Sequence, residues 1–565
     1  MTNRRFSQST ITVFLLLLTG CLLLANSRQM WTTVAHPIED AYITFRYAAQ
    51  ITRGHGAVFN PGEQVEGYSN PAWLLLLAGA DYCGADLEHI ARVLGCACHI
   101  VTWLVLVTCA LTSTNRHPAC SLLAPVLYLC YLPPLFYSVS GLETPLFGLE
   151  LLLAVLLLSS DRHPAGALCL LAAALTRPEG IVYALCWSVM VVRNPRRRSR
   201  STASGILVIA TGYALFLLWR LGFYHQLVPN TLPAKSFLPV YQRVALGLWQ
   251  IRDWALHYLP LTAALAAVLW LSRRHWHARI RLTVAFLGCG IGFVVCFAPF
   301  DWMPFYRYLA PLWPLAVLCL QDGVFALNHT APAPVRLRPA LLAAMLAAAW
   351  AIALIETNRA DQALLGQWTR IDATAYDNNR CVAAWIRGHL PPDVVIATGD
   401  VGRFGYFSNA RIVDLLGLTD RAFARLRSRH GRPDVDLATC TVDFSHCKQA
   451  ERDMLLDRRP DYVMLYSLDS TVCQTFFGSA AGIADTSAFA SQYSYMTTLP
   501  YGPPLAVDGW PGRRYFIAPT DTASGILAWV TGLWGCHIYR RIDSPAPAFA
   551  ISVDHHWRVT HISDS

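Results

Sequence analysis

ITVFLLLLTGCLLLA, residues 11–25, follows Arg4 and Arg5, and its reading sets the topology of everything after it. The stretch resembles the hydrophobic core of a cleavable signal peptide, and LTGC, ending at Cys21, looks like a lipoprotein cleavage box. The apolar run continues past Cys21, so it reads as an uncleaved first membrane helix with its amino terminus in the cytoplasm. Outward from it lies a polar segment, HPIEDAYITFRYAAQITRGHGAVFNPGEQVEGYSNPAW at 36–73, set between two strongly apolar stretches. Its acidic pair, Glu39 and Asp40, comes soon after the first apolar stretch, which holds two carboxylates near a membrane surface.

The rest of the chain repeats the pattern of apolar blocks joined by short polar loops. Of its 565 residues 54% are hydrophobic and only 14% charged, the composition of a polytopic membrane protein. The net charge of +9 comes from arginines clustered in those loops, where the positive-inside bias accounts for them without a nucleic-acid partner. Candidate spans lie near 11–27, 89–111, 119–138, 142–160, 165–176, 180–192, 204–221, 254–271, 282–299, 308–325 and 339–355. The blocks around 165–192 fall short of the roughly 20 residues a straight span needs, so they must borrow flanking residues, tilt, or be broken at Pro178 into paired half-helices.

With about eleven transmembrane helices, alternate loops fall on the cytoplasmic side and hold Arg116, Arg162, 194–200, 272–281, Arg336 and Arg338. The other loops are expected outside: the first external loop at 28–88, GLETP at 141–145, TRPEG at 176–180, 222–253, and PFDWMPFYRY at 299–308. After a membrane part at 1–355, the region 356–565 alternates helix-like pieces such as CVAAWIRGHL with strand-like DVVIATGD, RIVDLLGL and DYVMLY. It is expected to be an extracytoplasmic α/β domain with its own core. ASGILAWVTGLWG at 523–535 is short for a span and is expected to pack as a core element or against the membrane. Most of the 17 cysteines sit in apolar blocks as small core residues, and a disulfide between Cys440 and Cys447 is a candidate in an oxidising compartment.

Glu39 and Asp40 can serve as a general base on an acceptor hydroxyl, as ligands of a divalent cation, or as partners of Arg46 and caps for the helical run AYITFRYAAQI. Position alone does not choose among these. Arg46, Arg53, Arg177, Lys235 and Arg307 all fall on the same outer face, against the topological preference, and basic residues there call for an anionic partner such as a lipid-borne phosphate. GHG at 54–56 and NPGE at 60–63 read as tight turns in which glycine supplies positive φ, with His55 between two glycines a candidate ligand.

Six segments in order carry a resemblance: 39–73, GLETPLF at 141–147, LTRPEG at 175–180, LVPNTLPAKS at 227–236, DWMPFYRYLAPLWPL at 301–315, and DVGRFGYFSNARIVDLLGLTD at 400–420. Together they resemble bacterial C-type glycosyltransferases, the group that includes the terminal arabinofuranosyltransferases of cell-wall arabinan. The resemblance implies a multi-pass enzyme of the bacterial cytoplasmic membrane that moves one sugar from a polyprenyl-phosphate donor to an extracytoplasmic glycan or protein acceptor. It also implies acidic catalytic residues in the first external loop, here Asp40 with Glu39 beside it, although the family often has two aspartates there. Arg177, Lys235, Arg307 and Arg46 are then candidates for the donor phosphate. Tyr42, His55, Tyr68, Asn70 and Trp302 are candidates for sugar or lipid contacts, and Glu143, Glu179 and Asp301 either bind sugar hydroxyls or pair with the bases. A divalent cation, Mg or Mn, is compatible with the acid pair. Competing readings are transfer of another sugar onto lipid A or a protein such as a pilin, and a lipid or glycan flippase; no convincing internal repeat supports the latter.

Overall fold

The computed structural model describes residues 2–112, 122–194, 198–235, 239–298, 303–330, 337–430, 434–436, 441–443, 448–467, 486–500, 535–555 and 557–564. The chain forms two compact units: Met1–Ala35, His89–Leu217 and Gly247–Leu365 make the first, and His36–Glu88, Leu218–Leu246 and Gly366–Ser565 the second. The boundary at 365/366 lies near the expected one at 355/356, but the segments 36–88 and 218–246 group with the C-terminal region.

The protein is a polytopic helical membrane protein. Leu87–Thr112, Arg200–Tyr224, Ala278–Phe297 and Ala310–Leu327 are long and apolar enough to cross a bilayer, with mean hydropathy of 2.1, 1.8, 2.1 and 1.5. Large side chains on these helices, such as Leu207 and Leu215, stand exposed, as lipid-facing residues must in the absence of lipid. The expected first span at 11–27 falls inside the helix Thr2–Thr33, and the one at 339–355 inside the helix Leu337–His389.

Four expected spans differ in form. The region 119–138 holds two short helices, Leu123–Leu129 and Leu132–Val139, because Pro133 and Pro134 start a new helix and cannot continue the old one. The region 254–271 is the meeting of Val240–His257 with a second helix from Leu259, bent by 96° where Pro260 occupies the first turn. The blocks at 165–192 are half-helices, His163–Thr176 and Gly180–Arg193, broken around Pro178. Gly180 is needed at that break, since a Cβ there would come within 2.3 Å of the Ala173 backbone. Each has 14 residues and so reaches about 21 Å, short of a hydrocarbon core of about 30 Å.

In the second unit the strand-like stretches become a mixed five-stranded sheet of β1 (Val395–Thr398), β2 (Arg411–Asp414), β3 (Tyr462–Ser467), β4 (Tyr493–Pro500) and β5 (Gly535–Arg541), in the order β2-β1-β3-β5-β4. β1 pairs in parallel with β2 and β3, while β5 runs antiparallel to β3 and β4. Ala397, Val413, Val463 and Leu465 on these strands pack with Leu415, Phe423, Leu455, Phe489 and Tyr493 into a buried core, the outcome of short β-branched runs between turn residues. CVAAWIRGHL forms the end of the helix Leu337–His389. Cys440, Cys447 and most of the stretch 523–535 lie outside the described residues.

Candidate functional site

The matched segments sort into two constellations, one in each unit. In the second unit, Glu39 and Asp40 occupy the first turn of the helix Glu39–Thr52. The residue before them, Ile38, makes no side-chain cap, and Glu39 caps a different helix. Its Oε1 accepts from the Gly402 N–H at 2.6 Å and its Oε2 from the Arg403 N–H at 2.8 Å, at the start of the helix Arg403–Ser408. The two groups are more than 360 residues apart in sequence. Gly402 is required for this approach, because a Cβ there would lie 2.2 Å from the Glu39 carbonyl oxygen. Burial pushes the Glu39 carboxyl well above the usual carboxylate range, and the neighbouring Asp400 carboxyl adds to this, against the lowering effect of Arg403. Asp40, on the same turn, is partly accessible.

Arg403 completes the clamp. Its guanidinium donates to Asp372 Oδ2 at 2.8 Å and to the Pro37 carbonyl at 2.7 Å, tying the segment ahead of the acid pair to the C-terminal region. Burial alone would lower its pKa, but Asp372, with Tyr42 and Glu39, outweighs burial and raises it. Asp400 accepts from Asn379 Nδ2 at 2.8 Å. Gly402, Arg403 and Asp400 lie within the matched segment 400–420, yet composition and spacing gave no sign that they meet Glu39.

Arg46, a candidate for the donor phosphate, holds protein instead. It is buried and donates to Phe59 O, Gly405 O, Asn60 Oδ1 and Ala410 O at 2.5–3.0 Å, while burial brings its pKa down to about 9. Asn60 extends the same seam by exchanging hydrogen bonds with the backbone of Ile412 at the edge of β2. Tyr42 is fully buried among Phe45, Tyr376, Tyr406 and Phe407, and Tyr68 is buried with its hydroxyl 3.0 Å from that of Tyr224. Both rings are buried within the unit rather than open on a loop surface. Asn70 is also buried, at the start of the helix Pro71–Tyr82, and bonds Thr44. His55 is exposed, with Nδ1 2.7 Å from Gln50 Oε1, between Gly54 and Gly56, which take φ of +81° and +82°. Gly62 has φ of +83°, as the turn reading of NPGE requires. Lys235 ends the helix Thr231–Lys235 and is exposed.

In the first unit, Arg177 lies between two carboxylates, 3.0 Å from Glu143 and 2.5 Å from Glu179. Glu143 and Glu179 thus pair with a base. Arg307 approaches the same Glu143 at 3.5 Å and is more open than Arg177, with 12% of its side chain exposed against 3%. It sits in a loop where Phe305 and Tyr306 both have positive φ, +62° and +53°, a conformation costly for bulky residues and common at sites under functional constraint. Asp301 and Trp302 lie outside the described residues. Among the described residues no three His, Cys, Asp or Glu side chains gather as metal ligands, and both Glu39 oxygens are already taken by backbone N–H groups.

Residues 367–518 match the model of a domain of unknown function, DUF8728. Over 222 residues the chain is 28% identical to the Terminal beta-(1->2)-arabinofuranosyltransferase of Mycobacterium tuberculosis, which accounts for 35% of this chain and 34% of the relative. The chain therefore spans about a third of the length of the curated relative it matches. A crystal structure of ArnT from Cupriavidus metallidurans bound to undecaprenyl phosphate is similar over 73% of this chain and 88% of its own, at 13% identity and a TM-score of 0.46. The chain is similar to a terminal arabinofuranosyltransferase, and the six ordered segments resemble the C-type glycosyltransferases as a group.

Proposed function

We propose that the protein is a C-type membrane glycosyltransferase that moves a single arabinofuranosyl group from a polyprenyl-phosphate donor to an extracytoplasmic glycan or protein acceptor. The observation that carries this reading is the acid pair itself: Glu39 is fixed through both oxygens to the backbone of Gly402 and Arg403, and Asp40 stands beside it, half-buried, in the first turn of the same helix. Glu39 is then a positioning residue and Asp40 the catalytic base. The similarity to a terminal arabinofuranosyltransferase supports the choice of sugar.

In the proposed reaction Asp40 takes the proton of an acceptor hydroxyl as that oxygen attacks the anomeric carbon. The bond from the anomeric carbon to the phosphate oxygen breaks, and the polyprenyl phosphate leaves with the bonding pair. Phosphate is a good leaving group, so the main demands are a base for the nucleophile and positive charge for the departing oxygens. Arg307 is the proposed group for that charge, being more open than Arg177 and held in a strained loop. Lys235 is the alternative. No step in this scheme runs through a cation.

The arginine distribution supports an amino terminus in the cytoplasm and a C-terminal region outside. Incubating the protein in proteoliposomes with a panel of polyprenyl-phosphate sugars tests the reading. Arabinofuranose transfer is the expected result; transfer of a hexose or aminosugar with arabinofuranose untouched would remove the assigned donor, and no consumption of any such donor would remove the enzyme class.

A further inference from the structure

The second unit contains an open cleft of about 460 Å³ that holds none of the residues given a role in the proposed reaction, lined by Glu63, His225, Asp420, Arg421, Arg425 and Arg458 among others. Its volume lies within the range of small-molecule sites, about 300–1,000 Å³, and exceeds what a bare phosphate fills. Three guanidinium groups face two carboxylates, and both carboxylates are engaged. Glu63 pairs with Arg411 at 2.5 Å. Asp420 accepts from the Ala422 and Phe423 N–H groups and lies 3.6 Å from Arg458.

Positive charge is therefore in excess. Arg421 and Arg425 are four residues apart on the helix Arg421–His430, so they share one face. Arg421 is anchored by its Nη2 to the carbonyls of Gln64 and Tyr224, and its buried Nε has no hydrogen-bond partner among the described residues. Burial lowers the Arg421 pKa, and the like charge of Arg425 lowers it further, so the pair is crowded as it stands. His225, exposed at the rim, closes the helix Arg200–Tyr224 in the left-handed region at φ +55°. An oxyanion would relieve the repulsion and take forked contacts from the arginines, and the exposed Gln64 offers a side-chain amide for hydroxyls.

We infer that this cleft is an acceptor-side subsite for an anionic saccharide, one or two sugar units carrying a phosphate or a carboxylate. The word acceptor rests on the glycosyltransferase reading; the affinity for an anionic sugar does not. The test is binding of glucose 6-phosphate, glucuronate, inorganic phosphate and glucose to the full-length protein in nanodiscs, without donor. Glucose 6-phosphate, glucuronate or both should bind, at least tenfold more tightly than glucose or inorganic phosphate, and the Arg425→Glu/Arg458→Glu double variant should lose at least tenfold in affinity. The single variant Arg425→Gln, a change at an exposed side chain, should lose threefold or more if the double variant does not fold. Binding that glucose matches, binding that both variants leave intact, or no binding of either anionic sugar would each overturn the subsite. Inorganic phosphate binding as well as glucose 6-phosphate would overturn its saccharide character. If binding fails while arabinofuranose transfer proceeds, only the subsite falls; if anionic sugars bind but no polyprenyl-phosphate sugar is consumed, the transferase reading falls and the anion site stands.

Discussion

At the residue scale, the two adjacent acids carry different proposed roles. Glu39 spends both oxygens on backbone N–H groups, so Glu39→Ala is expected to cost about 1–3 kcal/mol of stability by leaving buried donors unmet. Thermal unfolding checks this. The raised Glu39 pKa gives a further handle. A carboxyl whose folded pKa is raised binds its proton more tightly in the folded state, so its contribution is fully present below the ordinary value of about 4.5 and is lost as pH rises through the raised folded value. The melting temperature of the wild type should therefore fall as pH increases above about 4.5, with a shallower fall for Glu39→Gln; parallel curves would show that Glu39 does not titrate in this window. Arg307→Ala should raise the KM for the donor about ten- to hundredfold, the scale of one lost charged hydrogen bond, and leave acceptor dependence unchanged. Equal effects on both substrates would take Arg307 out of the phosphate role.

At the scale of elements, the seam between the segment 36–73 and the segment 400–420 organises the second unit. Arg46 satisfies four acceptors, so Arg46→Met should destabilise by about 3 kcal/mol or more, with any loss of activity following loss of folded protein. Gly402→Ala should cost about 1–3 kcal/mol, because the added methyl meets a backbone oxygen that cannot swing aside. Chemical denaturation of the two variants measures both. Much of this element layer was legible in sequence: the helix after Ile38, the strands at 395–398, 411–414 and 462–467, the glycine turns and the break at Pro178 all follow from local pattern. The clamp was not, since Glu39 and Gly402 are far apart in the chain and neither has a local signal for the other. Tyr42, Tyr68 and Arg46 were read toward ligands because aromatic and basic residues in a polar loop look surface-bound; their burial depends on packing against residues from 224 and 376–410, beyond any sequence window.

At the scale of the whole molecule, the six ordered segments are distributed between the two units. Segments 39–73, 227–236 and 400–420 lie in one, and 141–147, 175–180 and 301–315 in the other. The expectation of about eleven spans counted apolar blocks, whereas among the described residues fewer helices are both long and apolar enough to cross, in part because prolines divide several blocks into short or bent pieces. On the proposed function, the residue that separates a transferase from a flippase is Asp40. The most direct measurement is transfer from synthetic polyprenyl-phosphate arabinofuranose by purified wild type and Asp40→Asn in proteoliposomes, with melting temperatures recorded alongside. The account predicts transfer by the wild type and a loss of at least about 10²-fold in Asp40→Asn at unchanged melting temperature; near wild-type turnover by a folded Asp40→Asn would contradict it.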